Sequence, residues 1–368
     1  MPFSEHLGAF LAVFAIAFVL AMVLVPVAQR LATRWQIVDR PRGRHQHTRP
    51  TAKLGGLALY VAFTVAVLVA QVLPVPRFDP WEWIRLAGLL LGGTFVFIFG
   101  LLDDRFEFGP LPQAIAQITA AGIAIFFRIF IETFNNPLTG EQTDPWPYIV
   151  TVTISLLWLG VMMNTVNWLD GVDGLAGGVA FIAAAVLFVN AVFRLDPPQI
   201  SVSLLPVALM GATAGFLLFN FPPAKIFMGS NGAFFLGYTV GALSIIGGAK
   251  AATILLVMGL PLLDLVWQIV HRVIRGRNPM QGDRGHLHFR LTDLGMDKRV
   301  MVLGYYAFCA FFGGLALFTT SRLFKFVALI VMGVIVLVGF LLLMRLSTQR
   351  AAITLPEGDD DHTSSNGT

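Results

Sequence analysis

Residues 8–28 read GAFLAVFAIAFVLAMVLVPVA, an unbroken apolar run without one charged side chain. A helix of that length spans about 30 Å, the thickness of a bilayer's hydrocarbon core. Runs of the same kind recur at 54–73, 86–102, 113–131, 147–164, 175–193, 201–220, 232–248, 251–270, 300–319 and 324–344. Glycine and proline interrupt the seventh, eighth and ninth. Such continuous runs exclude the period-two alternation of a membrane barrel. The expected fold class is an all-α integral membrane protein, a polytopic bundle of about eleven transmembrane helices.

Composition agrees. Hydrophobic residues make up 56% of the 368 positions and charged residues 12%, about half the charge a soluble domain carries. No single core could bury so much apolar surface, so the excess must face lipid. The lone Cys309 lies in an apolar run, excludes an internal disulfide and reads as a small buried residue. No basic stretch precedes residues 8–28, so they read as a retained helix and not a cleaved signal. The net charge of +4 reflects basic residues gathered in loops, a mark of topology and not of nucleic-acid binding.

With eleven spans, the segments 30–53 and 271–299, together with Arg105, Lys225, Arg345 and Arg350, place eighteen of the twenty-five Lys and Arg residues on one side. The positive-inside bias makes that side cytoplasmic, with the N-terminus outside and the C-terminus cytoplasmic. Residues 1–350 read as one transmembrane domain. Residues 351–368, with Glu357 and Asp359 to Asp361, read as a disordered acidic tail.

Five polar clusters interrupt the apolar pattern, all on the basic side: RGRHQHTRPTAKLGG (42–56), DDR (103–105), NTVNWLDGVDG (164–174), MGSNG (228–232) and GDRGHLHFR (282–290). One site assembled from several helix ends explains this better than five unrelated loops. Asp103 and Asp104 end a helix whose last carbonyls already carry partial negative charge, so a cation should offset them. That cation is either Arg105 with interfacial water or a divalent metal, which hard oxygen ligands suit. Adjacent residues point about 100° apart on a helix, so the two carboxylates should have different jobs.

Asn164, Asn167, Asp170 and Asp173 recur every three residues, and Gly171 and Gly174 let the backbone break around a ligand; a solvated turn is the alternative. The amides of MGSNG suit a phosphate at a helix start, unless Ser230 or Asn231 is simply an N-cap. His286 and His288, with Asp283, Arg284 and Arg290, suit phosphate and sugar better than a metal, and a plain amphipathic loop remains the alternative. His45, His47 and Lys53 read as anchors for headgroups or a lipid phosphate, or as positive-inside charge. Asp264, inside the ninth span, should face the bundle interior with a partner that the sequence does not name.

In these residues the chain resembles the polyprenyl-phosphate N-acetylhexosamine-1-phosphate transferases, in the branch that uses UDP-N-acetylglucosamine. The resemblance covers about residues 35–345 and rests on HTRPTAKLGG, GLLDDRFEFGP, NWLDGVDGLAGG, FNFPPAKIFMGSNGAFFLG and PLLDLVWQIVHRVIRGRNPMQGDRGHLHFRL, in that order. It implies attack of undecaprenyl (polyprenyl) phosphate on the β-phosphorus of UDP-N-acetylglucosamine, with UMP released and Mg²⁺ bound (Mn²⁺ as a substitute). This is the first membrane step of a cell-envelope glycan such as cell wall, lipopolysaccharide or teichoic acid. It further implies that Asp103 and Asp104 are catalytic and handle the lipid phosphate. Asn167, Asp170 and Asp173, following Asn164, form the nucleotide loop. Arg284, His286 and His288 contact pyrophosphate and sugar, and His47 and Lys53 assist substrate binding. The metal ligands implied are Asn167, Asp104 and Asp173. The place implied is the inner (plasma) membrane, multi-pass, with a cytoplasmic active site; a homodimer is compatible.

Four positions depart from the family pattern. Ser230 stands where Asp is usual, Ala233 where Ser is, Gln113 where Lys is, and Phe289 where a last His is. A non-catalytic relative that binds nucleotide sugar or lipid phosphate is therefore the alternative. A secondary transporter, with its site near the bilayer midplane, fits less well with polar clusters at one face.

Overall fold

The computed structural model describes residues 2–39, 50–134, 136–139, 141–248, 251–276, 286–319 and 321–353. Among them are fourteen helices: α1 (Pro2–Glu5), α2 (Leu7–Arg34), α3 (Gly55–Ala70), α4 (Glu82–Phe106), α5 (Pro110–Phe126), α6 (Tyr148–Leu169), α7 (Leu175–Phe193), α8 (Ile200–Asn220), α9 (Gly229–Ile246), α10 (Ala251–Val257), α11 (Gly259–Ile274), α12 (Leu287–Asp293), α13 (Lys298–Phe318) and α14 (Arg322–Ile353). A short antiparallel pair, β1 (Val38–Asp39) and β2 (Thr51–Ala52), sets Val38 opposite Ala52.

Among the described residues, seven helices are long and apolar enough to cross a membrane: α2, α4, α6, α7, α8, α13 and the Arg322–Arg345 part of α14. Every apolar run expected from the sequence falls on helix, but α3 and α5 are shorter apolar helices. The ninth run is two helices, broken at Met258. Pro261 stands in the first turn of α11, just after that break, where its missing N–H costs no helical hydrogen bond. α14 carries the lipid-facing pattern most openly, with Val327, Ile330, Val334, Val338 and Leu341 all exposed. Exposed apolar faces of this extent need a non-aqueous surround.

α9 stands at the centre. It packs against α3, α4 and α6, and nearly all of its residues are buried. Its GSNGAFFLGYTVG sequence permits this, because small residues let neighbouring backbones approach closely. Gly56 at the start of α3 lies so near that a Cβ there would strike the Asn231 side chain and the Gly232 backbone. The start of α9 is thus clamped between α3 and the end of α4, and that clamp positions the site.

Candidate functional site

Four separated segments meet where α9 begins. The strand pair delivers the first. Lys53 N–H donates to the Ile37 carbonyl, Phe227 N–H to Ala52, and the amides of Gly55 and Gly56 to Phe227 and Met228. This lacing fixes Lys53 beside the end of α4. There its Nζ lies 3.0 Å from Asp104 Oδ1.

Asp104 is the hub. Its Oδ1 also accepts the Ser230 amide at 2.9 Å, and its Oδ2 accepts the Asn231 amide at 3.0 Å and the Asn231 side-chain Nδ2 at 2.5 Å. Four donors occupy its two oxygens. The Gly229 amide, next in line, reaches the Asp170 carboxylate. Carboxylates therefore take the free N–H groups at the start of α9, where the sequence suggested a phosphate or a self-cap. The reason is electrostatic: α9 has no acidic residue in its first turn and no side-chain cap, so its positive end draws in Asp104 and Asp170. The repulsion expected at the end of α4 is relieved by the same contacts. Among the described residues, Lys53 and the α9 amides supply the offset.

Asp103 points elsewhere, as adjacent helical positions must. Its Oδ1 accepts Gln113 Nε2 at 3.0 Å. One turn along α5, Gln117 and Asn164 exchange hydrogen bonds, 2.7 Å from Asn164 Nδ2 to Gln117 Oε1 and 3.3 Å in return. Asn164, a predicted site residue, thus serves in this structure as a clasp between α5 and α6.

The loop after α6 turns at Asp170 and Asp173. Asp173 Oδ2 accepts the Ala224 amide at 3.1 Å. Gly174, which opens α7, donates its amide to Asn220 Oδ1 at 2.9 Å, and its carbonyl accepts the Tyr306 hydroxyl at 2.5 Å. Asp170 is close enough to Lys53, Asp104 and Asp173 to respond to each. Burial raises its pKa well above the carboxylate range, and the two aspartates add to this; Lys53 and the Gly229 amide oppose it. For Lys53 the balance runs the other way. Burial is the largest single influence and lowers its pKa, but the charge and hydrogen bond of Asp104 together with Asp170 and Asp39 outweigh it, and the net shift is upward.

Asp264 now has its partner. His286 Nδ1 lies 3.1 Å from Asp264 Oδ2, and the Leu287 amide donates to Asp264 Oδ1 at 3.0 Å, so α11 and α12 are pinned together. The His286 ring meets Trp168 edge-on at 4.9 Å, and Arg272 lies 5.8 Å from the same indole. Trp168 is two residues from Asp170, so this pair adjoins the carboxylates.

The structure therefore brings together Lys53, Asp104, Asp170 and Asp173, while Asp103 turns to Gln113 and His286 to Asp264 and Trp168. Asn167, half-buried one turn before Asp170, has no side-chain partner among the described residues. His47 and Arg284 lie outside the described residues, as does the His288 side chain. Sequence reasoning missed Gln117, Asn220, Tyr306, Trp168 and Arg272. Trp168, Asn220 and Arg272 stood inside quoted motifs, where no role was read for them individually.

A magnesium site is testable on these donors. Among the described residues no three His, Cys, Asp or Glu side chains converge on one point. The available donors are all hard oxygens: the Asn167 amide, Asp170, and the Asp173 oxygen not bonded to Ala224. Magnesium commonly takes one or two carboxylates and completes its shell with water and substrate phosphates. The set fits a cation that arrives with a phosphate substrate, whereas Asp104 could join it only by releasing one of its four donors.

The profile of glycosyl transferase family 4 matches residues 86–248. The chain is 33% identical to the decaprenyl-phosphate N-acetylglucosaminephosphotransferase of Mycolicibacterium smegmatis, over 75% of this chain and 73% of that one. It is 31% identical to the protein of the same name in Mycobacterium tuberculosis, over 90% and 85%. It is 26% identical, over 82% and 83%, to a Bacillus subtilis protein named "Probable undecaprenyl-phosphate N-acetylglucosaminyl 1-phosphate transferase".

Proposed function

Because the chain belongs to the polyprenyl-phosphate N-acetylglucosamine-1-phosphate transferases of glycosyl transferase family 4, we propose that it moves N-acetylglucosamine 1-phosphate from UDP-N-acetylglucosamine to undecaprenyl phosphate and releases UMP. A lipid-phosphate oxygen forms a bond to the β-phosphorus as the bond from that phosphorus to the UMP oxygen breaks. The observation that carries this reading is the convergence of Lys53, Asp104, Asp170 and Asp173 where α4, α6 and α9 end or begin.

Phosphoryl transfer asks a protein for positioning and charge neutralisation more than for covalent help. Asp103 and Asp104 form the catalytic pair. Asp103 keeps one oxygen without a donor among the described residues and orients the lipid phosphate, while Asp104 holds Lys53 and α9 in register. Lys53, half-exposed, lends positive charge to an incoming phosphate. Asn167, Asp170 and Asp173 would face the nucleotide and hold Mg²⁺, with Asp104 as a further ligand if Lys53 withdrew; the metal, when bound, would supply neutralising charge at the pyrophosphate. His286, set by Asp264 and Trp168, serves the sugar pyrophosphate, a role the family resemblance also gives to His288 and Arg284. The family resemblance assigns His47 to binding of the lipid substrate. The bias of basic residues toward one side supports a cytoplasmic site at the plasma membrane, with the N-terminus outside.

The test is a product assay with purified protein, UDP-N-acetylglucosamine and undecaprenyl phosphate, with either Mg²⁺ or Mn²⁺ added. UMP and the lipid pyrophosphate sugar should form together. No turnover with either metal, or turnover confined to another UDP-sugar, rejects the assignment.

A further inference from the structure

A second concave region lies at the far end of the bundle. α9 starts at the aspartates and runs 18 residues, about 27 Å at the helical rise. Its last turn then helps to line a cavity of about 730 Å³. That separation is close to the thickness of a bilayer's hydrocarbon core, so the cavity opens toward the opposite leaflet. The connection after α5, together with α10 and α14, supplies the other walls.

Its polarity is divided. α14 turns Arg322, Lys325, Phe326 and Leu329 toward the cavity, the spacing of a single helical face. Trp158 continues the apolar side, its indole N–H donating to Ser244 Oγ at 3.1 Å. Lys325 is only 8% exposed, and its Nζ donates to Thr253 Oγ1 at 3.1 Å. Two cations thus occupy the first turn of a helix, where the backbone dipoles are already positive. Among the described residues lining the cavity, Glu132 is the one acidic side chain, and it is exposed. A lysine buried in a membrane segment marks a binding function more often than a structural one.

We propose that this cavity binds an anionic phospholipid, its phosphate against Arg322 and Lys325 and its acyl chains along Trp158, Phe326 and Leu329. Apolar walls beside the cations favour a lipid over a soluble anion, and a volume of this size accommodates part of one. The site stands apart from the aspartates, and its occupancy does not depend on the transfer reaction.

Delipidated protein in neutral detergent tests it, with phosphatidylglycerol, phosphatidylcholine or inorganic phosphate added. Native mass spectrometry reads binding and the thermal midpoint reads its effect. Phosphatidylglycerol should be retained and raise the midpoint, while phosphatidylcholine and phosphate should not. Arg322→Gln and Lys325→Met should each weaken phosphatidylglycerol about five-fold, the worth of one basic residue at an anionic lipid surface. Lys325→Arg should restore it, which separates lost charge from misfolding. Equal responses to the two lipids, an equal shift with phosphate alone, or unchanged affinity in both charge-removing variants would overturn the proposal.

Discussion

Gly229→Ala changes no charge, yet it strikes the point where α9 meets the aspartates. Gly229 has φ of 78°, a left-handed conformation that costs an L-residue about 1–2 kcal/mol. A Cβ there would lie 2.6 Å from Asp104 Oδ2 and 2.8 Å from the Lys53 carbonyl. Neither can retreat, because Asp104 is held by four donors and the Lys53 backbone is laced to Ile37. Overpacking of this kind costs roughly 1–3 kcal/mol. The total, about 2–5 kcal/mol, should lower the thermal midpoint in detergent by roughly 3–6 °C and cut turnover at least about ten-fold. Gly122→Ala is the control: it lies within α5 with nothing within 4 Å of its added carbon, and should stabilise by about 0.5–1 kcal/mol. Midpoint and turnover measured on both variants decide the matter. If Gly229→Ala melts with the parent and keeps its rate, the clamp around Asp104 is not what organises the site.

Other perturbations test separate contacts. Lys53→Met should lower the midpoint by about 1–2 kcal/mol equivalent, below the cost of breaking a fully buried pair because Lys53 is partly solvated. Lys53→Arg should recover most of that loss, and equal midpoints for all three would show the pair to be inert. Asp170 has a raised pKa when folded, so the folded state binds its proton more tightly than the unfolded state. Its stabilising contribution is therefore complete at acid pH and is lost as pH rises above the ordinary carboxylate range. The midpoint of Asp170→Asn relative to the parent should accordingly climb between acid and neutral pH, and a constant offset would contradict that burial. Asp264→Asn and His286→Ala should be non-additive, with a coupling of about 0.5–3 kcal/mol in a double-mutant cycle; additive losses would leave α11 and α12 joined by something else. Ser230→Asp adds an oxygen donor at the start of α9 and should lower the Mg²⁺ concentration needed for half-maximal rate, an effect read directly by metal titration.

Much of the architecture was legible because lipid imposes a simple rule: a long apolar run must be helical. That rule located α2, α4 and α14 from hydropathy alone. It said less about α10 and α11, where one apolar run divides into two helices at Met258. The convergence of polar clusters was legible for a related reason, since charge is costly in hydrocarbon and had to collect at helix ends. The partners were not. Nothing in the spacing of MGSNG shows that its amides would meet Asp104, because the match depends on how closely α9 approaches α4. Asn164 looked like one member of a periodic series, yet Gln117 on another helix claims it. Asp264 was recognisable as a buried charge in need of company, but His286 reaches it only through the turn that starts α12.

The partnership between Asp104 and the start of α9 also bears on how the protein is made. The Ser230 and Asn231 amides that hold Asp104 lie 126 and 127 positions downstream of it. At ordinary synthesis rates, about 5–20 residues per second, the ribosome delivers them roughly 6–25 s after the aspartate. During that interval the acidic end of α4 waits at the bilayer surface with Lys53 as its nearest helper. A nascent chain stopped before residue 229 would hold most of its membrane helices and still lack a finished centre, so quality-control proteases should find truncated products easy to tell from complete ones.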